Sequence, residues 1–161
     1  MKKNILKIKK NQIIFGGLNY NFLKKEKVIR KKKEPKKFKI LTIFLSAKNR
    51  ANEIKMILEG VLSSDMPIKI INVFSNFEIK NLKEKKFSNK KIIVKFFKIK
   101  KNFLKILSKS DILITSEGTA KYDGLALGIT TCIISFFNYK NKLILDLLKK
   151  NFLFFLGYSK K

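Results

Sequence analysis

The sequence predicts an α/β fold, a single Rossmann-like doubly wound parallel sheet, on three observations. Short apolar runs rich in Ile, Leu and Val recur after residue 38. Stretches with apolar residues at helical spacing lie between them. The runs are near-continuous rather than alternating, as in strands buried on both faces. At 161 residues and 45% hydrophobic content the chain has one domain's length and enough apolar material for its core.

The elements follow in order. Residues 1–38 read as a basic N-terminal segment and linker, and 39–161 as the domain. Residues 1–39 hold 15 basic and 2 acidic side chains, and Lys31–Lys33 and Lys36–Lys37 flank Pro35. Lys39–Leu45 is the first predicted strand. Arg50–Leu62 sets Ile54, Ile57, Leu58 and Val61 on one helical face. Ile68–Phe74 is a second strand, Asn76–Lys86 a weak helix or loop, and Ile92–Phe97 a third strand. Asn102–Lys109 reads as a helix, Asp111–Thr115 as a strand, and Gly118–Leu127 as a helix closed by Gly128. Thr130–Phe136, a helix over Lys140–Lys150 and a strand over Phe152–Leu156 complete the pattern. Right-handed crossovers put ligands beyond the carboxyl ends of such strands, near Ser46–Asn49, Phe97–Lys100, Ser116–Thr119 and Phe137–Tyr139.

The formal charge is +27, from 38 basic and 11 acidic residues. All the basic residues except Arg30 and Arg50 are Lys. Lys, Ile, Phe and Asn fill 88 of the 161 positions and share A/T-rich codons. Codon drift accounts for that charge better than selection for nucleic-acid contact, where Arg is the favoured residue. Nucleic acid is therefore expected to bind only non-specifically. One cysteine, Cys132, excludes an intrachain disulfide framework, and the lack of histidine excludes His-based acid–base chemistry. No metal or cofactor is expected. Lys7, Lys9 and Lys10 break up any signal h-region, and Gly124–Tyr139 is too short to span a bilayer. The expectation is a cytoplasmic chain with a reduced Cys132 as a core residue.

Chemistry concentrates in Ser110–Ala120, read as strand, tight turn and helix start. Gly118 admits close backbone approach to a ligand, and a helix start offers free N–H groups to a pyrophosphate. Thr119 adds a hydroxyl. Asp123, one turn on, can accept from ribose hydroxyls. The plainer reading is an ordinary helix cap from Ser116 or Thr119, with Asp123 a surface acid.

Asp111–Phe137 (DILITSEGTAKYDGLALGITTCIISFF) resembles the C-terminal domain of GT-B sugar-nucleotide enzymes, with its pattern "aDl-I-GG-ST-wE---lG-P-l-i". Within that group it is most similar to the UDP-2,4-diacetamido-2,4,6-trideoxy-β-L-altropyranose hydrolases of pseudaminic acid biosynthesis. Phe15–Glu26, Lys39–Leu58 and Lys140–Gly157 resemble further segments of that family, in the same order. The resemblance implies that Gly118 and Thr119 face the pyrophosphate and that Asp123 holds the ribose; Ser116, in the same turn, is a further nucleotide-binding candidate. It implies that Ile99 lies near backbone that reads uracil and that Asn138 or Lys140 falls on the sugar side; Ser46 and Lys48, in a loop that departs from the family, are candidates for phosphate or sugar contact. There are departures. Glu117 replaces the first Gly of the pair, setting a carboxylate where pyrophosphate would sit. Asp123 is one methylene shorter than the family's Glu, and Thr130 replaces Pro. Leu45–Lys48 replaces a Gly-Gly-x-Asp loop, and the family's N-terminal domain with its catalytic His has no counterpart.

Three functions follow as expectations. The first is the UDP-sugar-binding half of a glycosyltransferase or UDP-sugar hydrolase for surface-glycan or nonulosonic acid synthesis, completed by a separate N-terminal subunit. The second is an inactive truncated remnant of such an enzyme. The third is a basic nucleic-acid-binding protein, using Phe96, Phe97, Lys98, Lys100 and Lys101 as a stacking patch.

Overall fold

The computed structural model describes the backbone of residues 4–9 and 12–16, and then residues 38–45, 50–76, 92–99, 102–136 and 142–159. Two strands, β1 (Asn4–Lys9) and β2 (Gln12–Gly16), pair antiparallel with Leu6 opposite Ile14. The sequence reading assigned no element there. Leu6 and Ile8 alternate with Lys7 and Lys9, a period-2 signal that the high charge masked.

The second sheet carries the fold. Its strands are β3 (Ile40–Phe44), β4 (Ile70–Phe74), β5 (Ile93–Phe97), β6 (Ile112–Thr115), β7 (Thr130–Ser135) and β8 (Phe154–Tyr158). All five pairings are parallel, in the order β5-β4-β3-β6-β7-β8. Parallel neighbours require crossovers. The described helices are α1 (Ala51–Ser63) between β3 and β4, α2 (Phe103–Leu107) before β6, α3 (Ala120–Ala126) between β6 and β7, and α4 (Lys142–Lys149) before β8. The order is that of a Rossmann-like sheet, whose direction of winding reverses between β3 and β6.

Residue alternation sends side chains to two cores. Leu41, Ile43 and Leu45 of β3 and its end pack with Ile71, Val73, Ile112 and Ile114 against Ile54, Leu58 and Val61 of α1. On the opposite face Leu113 packs with Leu107 and Ile129, and Ile133 with Ile144, Leu147 and Leu153. That second face also buries polar groups, and each is bonded. Thr42 and Ser110 hydroxyls meet at 2.6 Å, and Thr115 donates to the Phe44 carbonyl at 2.6 Å. At the amino end, the Asp111 carboxylate accepts from the backbone N–H groups of Lys39 (2.8 Å) and Ile40 (2.9 Å). It ties β3 to the start of β6 across 71 residues of chain.

Element boundaries shift slightly from those predicted. Helix α3 begins at Ala120 rather than Gly118; Thr119 is its N-cap, and its hydroxyl makes no cap bond. The Ser116 hydroxyl instead accepts from the Gly118 N–H at 3.4 Å. Gly128 ends α3 at φ +67°, with Ile129 N–H donating to Gly124 and Gly128 N–H to Leu125, a Schellman closure. Strand β8 starts two residues later than predicted, after Asn151 takes a left-handed conformation (φ 55°). The predicted Asn76–Lys86 helix or loop lies almost wholly outside the described residues.

No helix among the described residues is long and apolar enough to cross a membrane. Cys132 is a free thiol, half-buried, and burial pushes its pKa up.

Candidate nucleotide site

The carboxyl end of β6 is the switch point. Chains leave the sheet there toward opposite faces, α1 to one and α3 to the other, and in sheets of this order the crevice between such connections is where ligands bind. The Ser116–Thr119 turn rises from this end, and α3 follows it directly.

Two polar groupings flank the crevice. On the α3 side, Ser135 of β7 donates its hydroxyl to the Glu117 carboxylate. The Lys121 ammonium donates to the carbonyls of Glu117 and Gly118, the latter at 2.7 Å, and sits 4.1 Å from the centre of the Tyr122 ring. Burial pulls the Lys121 pKa down to about 8, against an opposing pull from Glu117. On the α1 side, the Arg50 guanidinium lies 3.9 Å from the centre of the Phe136 ring and pairs with Glu53 at 3.1 Å. Phe136 and Ser135 are adjacent at the end of β7, so alternation sends them to the two faces. Sequence reasoning missed Arg50, Ser135 and the role of Lys121. Each acts through a partner distant in sequence or through backbone geometry, which local spacing does not reveal.

Of the residues expected at the site, Ser116, Gly118, Thr119 and Asp123 come together on one turn and its helix. Ser116 is half-buried, while Gly118 and Thr119 are exposed. A Cβ on Gly118 would meet only the Ser116 hydroxyl, at 3.6 Å, so the fold itself does not require glycine there. Asp123 is half-buried, and desolvation raises its carboxyl pKa. No described residue pairs with its carboxylate. Asp123 and Lys121 are two apart on the helix and so do not face each other.

Ile99 is not part of this grouping. It follows β5, three strand spacings or about 14 Å from β6. Its N–H donates to the Asn76 side chain at 3.3 Å. Ser46, Lys48, Asn138 and Lys140 lie outside the described residues.

Both aromatics of the alternative stacking patch are half-buried and make packing contacts. Phe97 stacks on the buried Phe74 with ring centres 5.2 Å apart, and Phe96 packs against the α1-side core. Lys100 and Lys101 lie outside the described residues.

Glu117, set by the sequence where it would repel pyrophosphate, is engaged by Ser135 and lies within the field of Lys121. Among the described residues, Arg50 and Lys121 stand with three carboxylates, those of Glu53, Glu117 and Asp123. The crevice is therefore electrostatically unlike the Lys-rich remainder of the chain. No group of His, Cys, Asp and Glu among the described residues is arranged to hold a metal ion. No family model, no curated protein and no solved structure matches the chain.

Proposed function

We propose that this chain is a nucleotide-sugar-binding domain, taking the diphosphate of a UDP-sugar at the Ser116–Thr119 turn and its ribose at Asp123. The observation that carries the reading is the strand order, which sets that turn at the reversal of the sheet. Asp123 supports it. A half-buried carboxylate with a raised pKa and no described partner is kept at a cost to the fold, and such groups cluster at binding sites. In this reading the chemistry is transfer or hydrolysis at the anomeric carbon. The chain holds the leaving nucleotide, and since its 161 residues contain no histidine, a base of that kind comes from outside them.

Calorimetric titration at about physiological salt tests the reading, with UDP, ADP and inorganic pyrophosphate on wild type and Asp123→Ala. UDP is expected to bind more tightly than both controls, and the variant to lose that margin. Equal binding of all three, or of none, rejects it.

A second reading, a remnant that no longer binds, is favoured by Glu117. Its carboxylate stands in the turn where the resembled family has glycine, and Ser135 holds it there. In that case the titration shows no UDP margin.

A further inference from the structure

We infer that Arg50 is an oxyanion-binding residue of the crevice, taking a phosphate of the bound diphosphate from the α1 side. This rests on the nucleotide reading above, but the sequence resemblance assigns Arg50 no role.

Position is the first support. Arg50 immediately precedes α1, just beyond the loop that leaves β3, and its guanidinium sits over the Phe136 ring at the end of β7. β6 lies between β3 and β7. The contact therefore bridges the carboxyl end of β6, from which the Ser116–Thr119 turn departs. Donor count is the second. A guanidinium has five N–H donors. Among the described residues only Nη1 meets a carboxylate, that of Glu53 at 3.1 Å. The Nε–H is buried and has no acceptor among the described residues. Such a donor leaves a desolvation cost uncompensated, and an oxyanion can relieve it. The side chain as a whole remains 25% exposed. Preorganisation is the third. The cation–π contact with Phe136 and the pairing with Glu53 hold the guanidinium in place, so less side-chain freedom remains to be lost on binding. In a chain whose other basic residues, Arg30 apart, are all Lys, a planar fork stands beside the turn to which the diphosphate is assigned.

Inorganic pyrophosphate and UDP, titrated separately into wild type, Arg50→Lys, Glu53→Gln and Glu59→Gln at fixed ionic strength, test this. Arg50→Lys keeps the charge and removes the fork, so both ligands are expected to bind about tenfold more weakly or worse. Glu53→Gln releases Nη1 from its competing carboxylate, so pyrophosphate is expected to bind about threefold more tightly. A chain this basic draws polyanions whatever its fold. The gain therefore counts only in a Glu53→Gln protein that melts as wild type does, and only where it exceeds that of Glu59→Gln, which makes the same charge change away from Arg50. That comparison decides the matter if Arg50→Lys melts early. Wild-type affinity in Arg50→Lys, no gain in Glu53→Gln beyond that of Glu59→Gln, or no pyrophosphate binding by wild type overturns the inference. If UDP keeps its Asp123-dependent margin while Arg50→Lys is silent, Arg50 fails and the nucleotide reading stands. If UDP has no margin, that reading fails, and the pyrophosphate series alone decides Arg50.

Discussion

Lys121 brings its charge into the fold against the cost of desolvation, and stability depends on pH in consequence. Its pKa is about 8 in the folded chain and 10.5 when free. Between those values the unfolded chain holds the proton and the folded chain does not. Stability from this group therefore rises as pH rises from about 8 to 10.5 and is lost as pH falls back through 8. The other lysines also titrate toward the top of that window, so the informative quantity is a difference. Urea midpoints measured at pH 8 and pH 10 are expected to rise less in Lys121→Met than in wild type. Asp123 behaves in the opposite sense. Its raised pKa gives a contribution present at acid pH and lost as pH rises through the carboxylate range. Asp123→Asn is expected to be at least as stable as wild type at pH 7 in urea melts, so its loss of UDP binding would not reflect unfolding. Asp111 is structural by contrast. Asp111→Ala leaves the Lys39 and Ile40 N–H groups without their acceptor and is expected to lower stability by about 1–3 kcal/mol in urea unfolding.

Two glycines of the same motif separate element packing from ligand contact. Gly124 lets α3 lie close on the sheet, since a Cβ there would collide with the Thr131 hydroxyl and come within 2.8 Å of Leu113. Gly124→Ala is expected to cost about 1–3 kcal/mol by thermal melting. Gly118→Ala meets no such obstacle and is expected to melt within about 0.5 kcal/mol of wild type. Any loss of UDP affinity in Gly118→Ala then reports backbone approach to the ligand. The elements themselves were largely legible in the sequence. Buried parallel strands such as Ile112–Thr115 are unbroken apolar runs, and α1 shows its buried Ile54, Leu58 and Val61 at plain helical spacing. Boundaries were less legible where an apolar run continues through a turn. Phe152–Leu156 gives no mark of where β8 begins, since the turn before it is made by the left-handed Asn151 and by backbone bonds from Asn151 and Phe152 back to Leu148 and Leu147. Ser116, Gly118, Thr119 and Asp123 were readable because they are neighbours in the chain. Arg50 on Phe136 and Ser135 on Glu117 join residues 86 and 18 positions apart, and only the strand order brings them together.

At the scale of the whole molecule the charge of +27 and the crevice are separate matters. A chain this basic attracts polyanions through released counterions, whatever its fold. Its affinity for duplex DNA is expected to be indifferent to sequence and to fall about tenfold or more between 50 and 200 mM salt in a filter-binding assay. A site of mixed charge with shaped contacts is screened less steeply, so a UDP margin should survive at the upper salt concentration. Location is the most direct test of the central claim. Amide chemical shifts recorded as UDP is added to labelled protein at about physiological salt report where the nucleotide sits. The account expects the largest changes at Ser116, Glu117, Gly118, Thr119 and Asp123, saturating with UDP. Changes spread over the lysines of the surface, with those five amides still, would contradict it.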